Sequence, residues 1–256
     1  MYHTLIVGCS YVEMLSPFTH INPNHNENHP DRKIFDTIDH ANFLIVGRAG
    51  SGNTGIAARV MYECSKHKFD QVIVLWSGIN RIDIPIPADL QNTYPRIDQN
   101  TWVYDYITEL ENVVWYHSGG WNASGVQENC PRVIREFFRN QYLGATSKYL
   151  TDLSLQSVVG TQAFLKANNI DYKMGWMYDI HNTTNDNVMY SGGGRVDTSS
   201  QYYKLVDWSN ISTTTAYEWC RDNNLLGPDK SHWSRAGALR WFDQELGIQL
   251  TKPLAQ

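Results

Sequence analysis

The chain has 256 residues, enough for one large domain to bury a substantial core. Hydrophobic residues make up 42% and charged residues 18%, and the net charge of −5 excludes the basic face that non-specific nucleic-acid binding requires. No apolar run approaches the roughly 18 residues of a membrane span, and strand-like sequence from about residue 3 leaves no room for a signal peptide, so a cytoplasmic protein is expected.

In chain order, Leu5 to Tyr11 (LIVGCSY) reads as the end of a buried strand, about 3–9, running into a glycine turn. That places Ser10 at the carboxyl edge of a sheet, where open α/β folds bind ligands; its alternative role is to cap the following helix. Cys9, beside it, is either a thiol nucleophile or, being on the alternate face of the strand end, a core residue. The four cysteines (Cys9, Cys64, Cys130, Cys220) have no CxxC spacing and read as reduced thiols without structural zinc. Residues 16–40 carry Pro17, Pro23, Pro30 and the histidines His20, His25, His29 and His40. Their spacing matches no metal-ligand motif, so a solvated loop is expected.

Phe43 to Val46 predicts a second strand, followed by GRAGSGNTG (47–55) and a helix over about 54–67. Gln71 to Trp76 is a third strand ending in SGINR (77–81). Residues 82–128, rich in Pro, Asn, Tyr and Trp with a helical patch near 100–112, predict an elaboration over one end of the sheet. Helical spacing from Pro131 to Asn168 predicts two helices, and Tyr172 to Met177 a fourth strand. A loop over 181–200 contains Gly192 to Gly194; a helix over about 212–223 then leads to LLGPDKSHWS and a last helix, Arg235 to Leu246. With no repeat and no linker, residues 1–256 read as one domain. Strands alternating with helices predict an α/β fold, with a parallel sheet covered on both faces.

Three groups of residues carry chemistry. Gly50-x-Gly52-x-x-Gly55 spells a dinucleotide fingerprint, yet Gly50 lies three residues beyond the strand-end Gly47. Trp76 and Ser77 also stand where the ribose-binding acid belongs. As a P-loop, the same stretch has Asn53 in place of the phosphate-binding lysine. Nucleotide binding is therefore the weakest expectation. Asp229-x-x-His232 lets a carboxylate orient one imidazole nitrogen while the other faces a cleft, although Asp229 could equally cap the last helix. With Ser10 it would complete a triad drawn from both ends of the chain. Gly78-x-Asn80, after a buried strand, offers a side-chain amide as an oxyanion donor, or a simple turn.

In this order, GCSY (Ser10), GSGNT (Gly52), SGIN (Asn80) and DKSHWSRAG (Asp229, His232) resemble the four blocks of the SGNH (GDSL-type) hydrolase superfamily. Gly237, five residues past the histidine, also fits. The resemblance covers about residues 3–81 and 170–246 and not 82–128. Cys9 replaces the aspartate of Gly-Asp-Ser, Arg81 stands where an aspartate is usual, and Gly50 competes with Gly52 for the glycine position. An α/β-hydrolase elbow is not matched, because GCSYV lacks its second glycine.

The resemblance implies a three-layer α/β/α, flavodoxin-like fold with a short parallel sheet, and a serine esterase with Ser10, His232 and Asp229 as its triad. The N–H groups of Ser10 and Gly52 and the Asn80 amide would form the oxyanion hole, with no metal or cofactor. The expected substrate is a small acyl or acetyl ester, polysaccharide esters included, with Arg81 and Trp121 as candidate contacts. No nucleic-acid or membrane partner is expected, and the oligomeric state is not legible. The Asn-rich loops also resemble SGNH-like proteins encoded by bacteriophages, which would suit a virion. The competing expectation is a non-catalytic binding or structural module in a larger assembly.

Overall fold

Four short strands build one parallel sheet: β1 (Thr4–Gly8), β2 (Phe43–Gly47), β3 (Gln71–Trp76) and, later in the chain, β6 (Asp171–Trp176). Their order is β2-β1-β3-β6, a flavodoxin-like arrangement. The computed structural model describes residues 2–13, 15, 38–47, 50–79, 81–87, 113–118, 147–181, 194–228, 230 and 232–251. Central strand β1 is buried throughout, with Ile6 between Ile45 and Ile73 and Val7 between Val46 and Val74. Covered on both faces, β1 and β3 are continuous apolar runs rather than alternating ones.

The crossover from β2 to β3 contains α2 (Asn53–Lys66), and that from β3 to β6 contains α3 (Ser147–Ala167). Both step the same way across the sheet. Right-handed connections then put both helices on one face, where α2 and α3 pack together. The other pair is α4 (Ala216–Asp222) with α5 (Arg235–Leu246). Trp241 of α5 lies over Gly175 of β6, where an added Cβ would come within 2.6 Å of the indole. The result is a three-layer α/β/α fold. Among the described residues, no helix is long and apolar enough to cross a membrane.

One region gains detail and one expectation needs correction. Residues 82–87 and 113–118 belong to the stretch that the sequence marks as an elaboration. They form β4 (Ile82–Pro87) and β5 (Val113–Ser118), an antiparallel pair from Ile82↔Ser118 to Pro87↔Val113. Prolines such as those of IDIPIP are uncommon inside a sheet. However, Pro85 and Pro87 are two residues apart and so share one edge, and a two-stranded ribbon leaves an open edge on each strand. The helix expected from about 212 begins at Ala216. Ile211 bridges Met174, and the Ser212 N–H donates to the Met174 carbonyl at 2.8 Å, so this stretch borders the sheet instead. The segment 16–37, the patch 100–112, the helix from Pro131, and Gly192 and Gly193 lie outside the described residues.

Asp207 ties α3 to the segment that follows β6. Its carboxylate accepts from Lys166 Nζ (2.7 Å), Ser209 N (3.2 Å) and Asn210 Nδ2 (3.2 Å), while Gln162 of α3 pairs with its backbone N–H and C=O. The Lys166 and Ser209 hydrogen bonds hold this carboxyl well below the usual carboxylate range. A depressed folded-state value means its stabilisation is complete above the unfolded value, near 3.8, and is lost as pH falls below it. Asp207→Asn should therefore lower the melting temperature at pH 7. The gap to the wild type should hold from pH 7 down to about 4 and narrow as pH falls below about 3.8 toward the folded-state value; a gap that does not narrow there would show that the charge is not what the site uses.

Candidate active site

Ser10 opens a one-turn helix, α1 (Ser10–Glu13), at the carboxyl end of β1, where the Cys9 carbonyl accepts the N–H groups of Val12 and Glu13. This helix can pass over the end of β2 only because residue 47 is glycine, since a Cβ there would sit 2.0 Å from the Glu13 nitrogen. Cys9 itself is fully buried, its sulfur 3.2 Å from that of Met177, so the thiol belongs to the core. Burial pushes the Cys64 thiol up to about 11 and that of Cys220 up to about 12, which keeps both protonated at neutral pH.

His232 comes from the other end of the chain and stands 3.0 Å from Ser10, Nε2 to Oγ. A small ribbon sets its backbone: Leu226 bridges Trp233, Gly227 N–H donates to the His232 carbonyl (2.7 Å), and Ser234 N–H donates to the Leu225 carbonyl (2.7 Å). The turn it closes holds Lys230 at φ 54°, and Ser234 caps α5 by accepting from Gly237 N–H. Trp233, 1% exposed, packs against Tyr11, Trp241 and Phe242 at centroid distances of 4.9, 5.9 and 5.7 Å. The neighbours of Ser10 and His232 in sequence thus interlock beneath the pair. Tyr11 also lies 5.2 Å from the imidazole ring. Burial, and then the neighbouring Tyr178, raise its phenol well above 10.0, so it stays uncharged beside the histidine. With Nε2 on Ser10, an orienting acceptor would address Nδ1.

Asn80, Asp229 and Trp121 lie outside the described residues. Gly52 does not offer a free amide. Its N–H donates to Asp83 Oδ1 at 2.8 Å, and the Gly55 N–H donates to Asp83 Oδ2 at 2.6 Å. Its lack of a side chain serves a close approach, because a Cβ would lie 2.7 Å from the Arg81 carbonyl oxygen. Gly50, the competing glycine, has φ 77° and makes the turn. Arg81 is 7% exposed, a buried side chain. Nor is the start of α2 available to a phosphate, because the carboxylate of Asp83 already sits on its amides. This counts against nucleotide binding there.

Asn53 and Asp83 were missed as site residues in the sequence. Asn53 is 1% exposed; its Oδ1 accepts the Ser77 N–H at 2.8 Å, and its Nδ2 donates to the Ser77 carbonyl at 3.4 Å. The only available signal was negative, a helix start with glycine at both positions where a capping side chain belongs.

The described residues thus define an α/β protein with a serine–imidazole pair at the carboxyl edge of a parallel sheet. No protein-family model matches the chain, and no curated protein does. Among solved structures, a mutant acetyl-xylooligosaccharide esterase from Geobacillus stearothermophilus is similar over 98% of this chain and 97% of its own, at 14% identity and a TM-score of 0.45. A catalytic mutant of an acetylxylan esterase from the same organism is similar over the same shares, at 13% identity and a TM-score of 0.43. Similarity this low fixes neither the activity nor the site residues of the present chain.

Proposed function

We propose that this chain is a serine ester hydrolase acting on small acyl or acetyl esters, those carried on polysaccharides included. The observation that carries this is the 3.0 Å contact between Ser10 Oγ and His232 Nε2, two residues 222 positions apart that the fold brings together on a ligand-binding edge. Ser10 Oγ would attack the ester carbonyl while His232 takes its proton and then delivers it to the departing alcohol. Water, deprotonated by the same imidazole, would release the carboxylic acid and restore Ser10. Asp229, three residues before the histidine, would orient Nδ1. Because the Gly52 amide is engaged by Asp83, the oxyanion would rest on the Ser10 N–H and the Asn80 amide.

A fluorophosphonate probe tests this directly, since it reacts with an activated serine and not with an ordinary one. Mass spectrometry should find the label on Ser10 in the wild type and none in His232→Ala. Labelling of another residue, or none together with no hydrolysis of short-chain esters, would leave a binding or structural module. Asn80→Ala should lower kcat by about 10²–10³-fold with KM little changed, as expected for a donor engaged in the transition state. A change in KM alone would make Asn80 a ground-state contact.

A further inference from the structure

We propose that Asp83 and Asn53 are positioning residues that clamp the loop carrying Asn80 onto the start of α2; the catalytic consequence rests on the serine-hydrolase reading, and the clamp itself does not. Helix α2 has Gly52 as its N-cap and Gly55 three residues on, so neither side of a capping box can be made within the helix. Asp83 supplies both from another part of the chain, Oδ1 to the Gly52 N–H and Oδ2 to the Gly55 N–H. Its side chain is buried, 7% exposed, where a carboxylate is tolerated only if its oxygens are well bonded. Two charge-assisted bonds and the positive end of a 14-residue helix meet that need.

The next residue of the helix works in the opposite direction along the loop. Asn53 pairs with both the N–H and the C=O of Ser77, as a neighbouring strand would. One helix start therefore grips the chain at Ser77 and at Asp83, three residues before and three residues after Asn80. The Arg81 carbonyl rests over Gly52, and Ser154 of α3 donates to the Ile79 carbonyl at 3.1 Å as a further tether. Apart from the Asp83 side chain itself, the tethers meet this stretch at its backbone, so the set fixes the course of the chain. Such fixing is what an oxyanion donor needs, because it must be in place before charge develops. It also settles why an aspartate is suited to position 83. The two N–H groups meet different oxygens, and asparagine would turn its NH2, itself a donor, toward one of them.

Amide hydrogen exchange and kinetics on the full chain test the clamp together, using the wild type, Asp83→Ala, Asp83→Asn and Asn53→Ala. In Asp83→Ala, Gly52 and Gly55 should lose protection, and so should Ser77, which Asp83 does not touch. In that variant kcat for a short acetate ester should fall about 10- to 100-fold, with KM within about a factor of two. Asp83→Asn, which keeps one acceptor, should fall between; it also carries the test if the alanine variant does not fold. Ser77 exchanging as in the wild type after loss of Asp83 would overturn the clamp, and unchanged kcat in a folded Asp83→Asn would overturn its catalytic consequence. Coupled exchange in a chain that hydrolyses no ester would support the clamp and overturn the hydrolase reading instead.

Discussion

Ser10→Ala should reduce ester hydrolysis by about 10⁴-fold or more, and His232→Ala by a similar factor, with the double variant no worse than either. The equality follows from the geometry. The imidazole 3.0 Å from Oγ has no function as a base without the hydroxyl, and the hydroxyl is a poor nucleophile without the base. Ser10 is only partly buried, at the start of a four-residue helix, so loss of its oxygen should cost about 1 kcal/mol of stability or less. The measurement is kcat/KM on a short-chain chromogenic ester for the two single variants and the double, with a melting curve for each. Multiplying losses would place the two residues in separate functions. Activity retained in Ser10→Ala would remove it as the nucleophile, and Cys9, fully buried against Met177, could not replace it.

Trp233→Ala should have the largest effect on stability. The indole is 1% exposed and in contact with Tyr11, Trp241 and Phe242, so truncation opens a cavity between the last helix and the first. Such deletions cost about 3–5 kcal/mol, which for a chain of this length lowers the melting temperature by about 10 °C. Activity should fall as well, because Trp233 is the buried anchor next to His232 and meets the residue next to Ser10. Trp233→Phe provides the contrast. Its indole N–H is buried with no hydrogen-bond partner among the described residues, so phenylalanine keeps most of the packing and removes that donor. The phenylalanine variant should retain most of both stability and turnover. An alanine variant that melts with the wild type would show that the site does not depend on this aromatic contact.

The sequence alone determined the four strands of the sheet, to within one or two residues, together with α2 and the last helix. The first three strands are apolar runs closed by glycine or a polar turn, and each of these helices repeats its apolar face every three to four residues. Those signals are local, because burial of a face is written into the spacing of side chains along a few turns or pleats. The order of motifs also singled out Ser10 and His232. Only the tertiary structure decided that these two meet, since their contact depends on β1 and the turn before α5 arriving at one edge of the sheet. It alone decided that Gly52 gives its amide to Asp83 and that Arg81 is buried. It also turned IDIPIP into a strand, which depends on having an open edge for its prolines. The physical reason is the same in each case. A hydrogen-bonding group carries no mark of its partner in the sequence, and Asp83 lies 31 residues from the amide it holds. Which donor meets which acceptor is fixed only once the crossovers have packed the helices against the sheet.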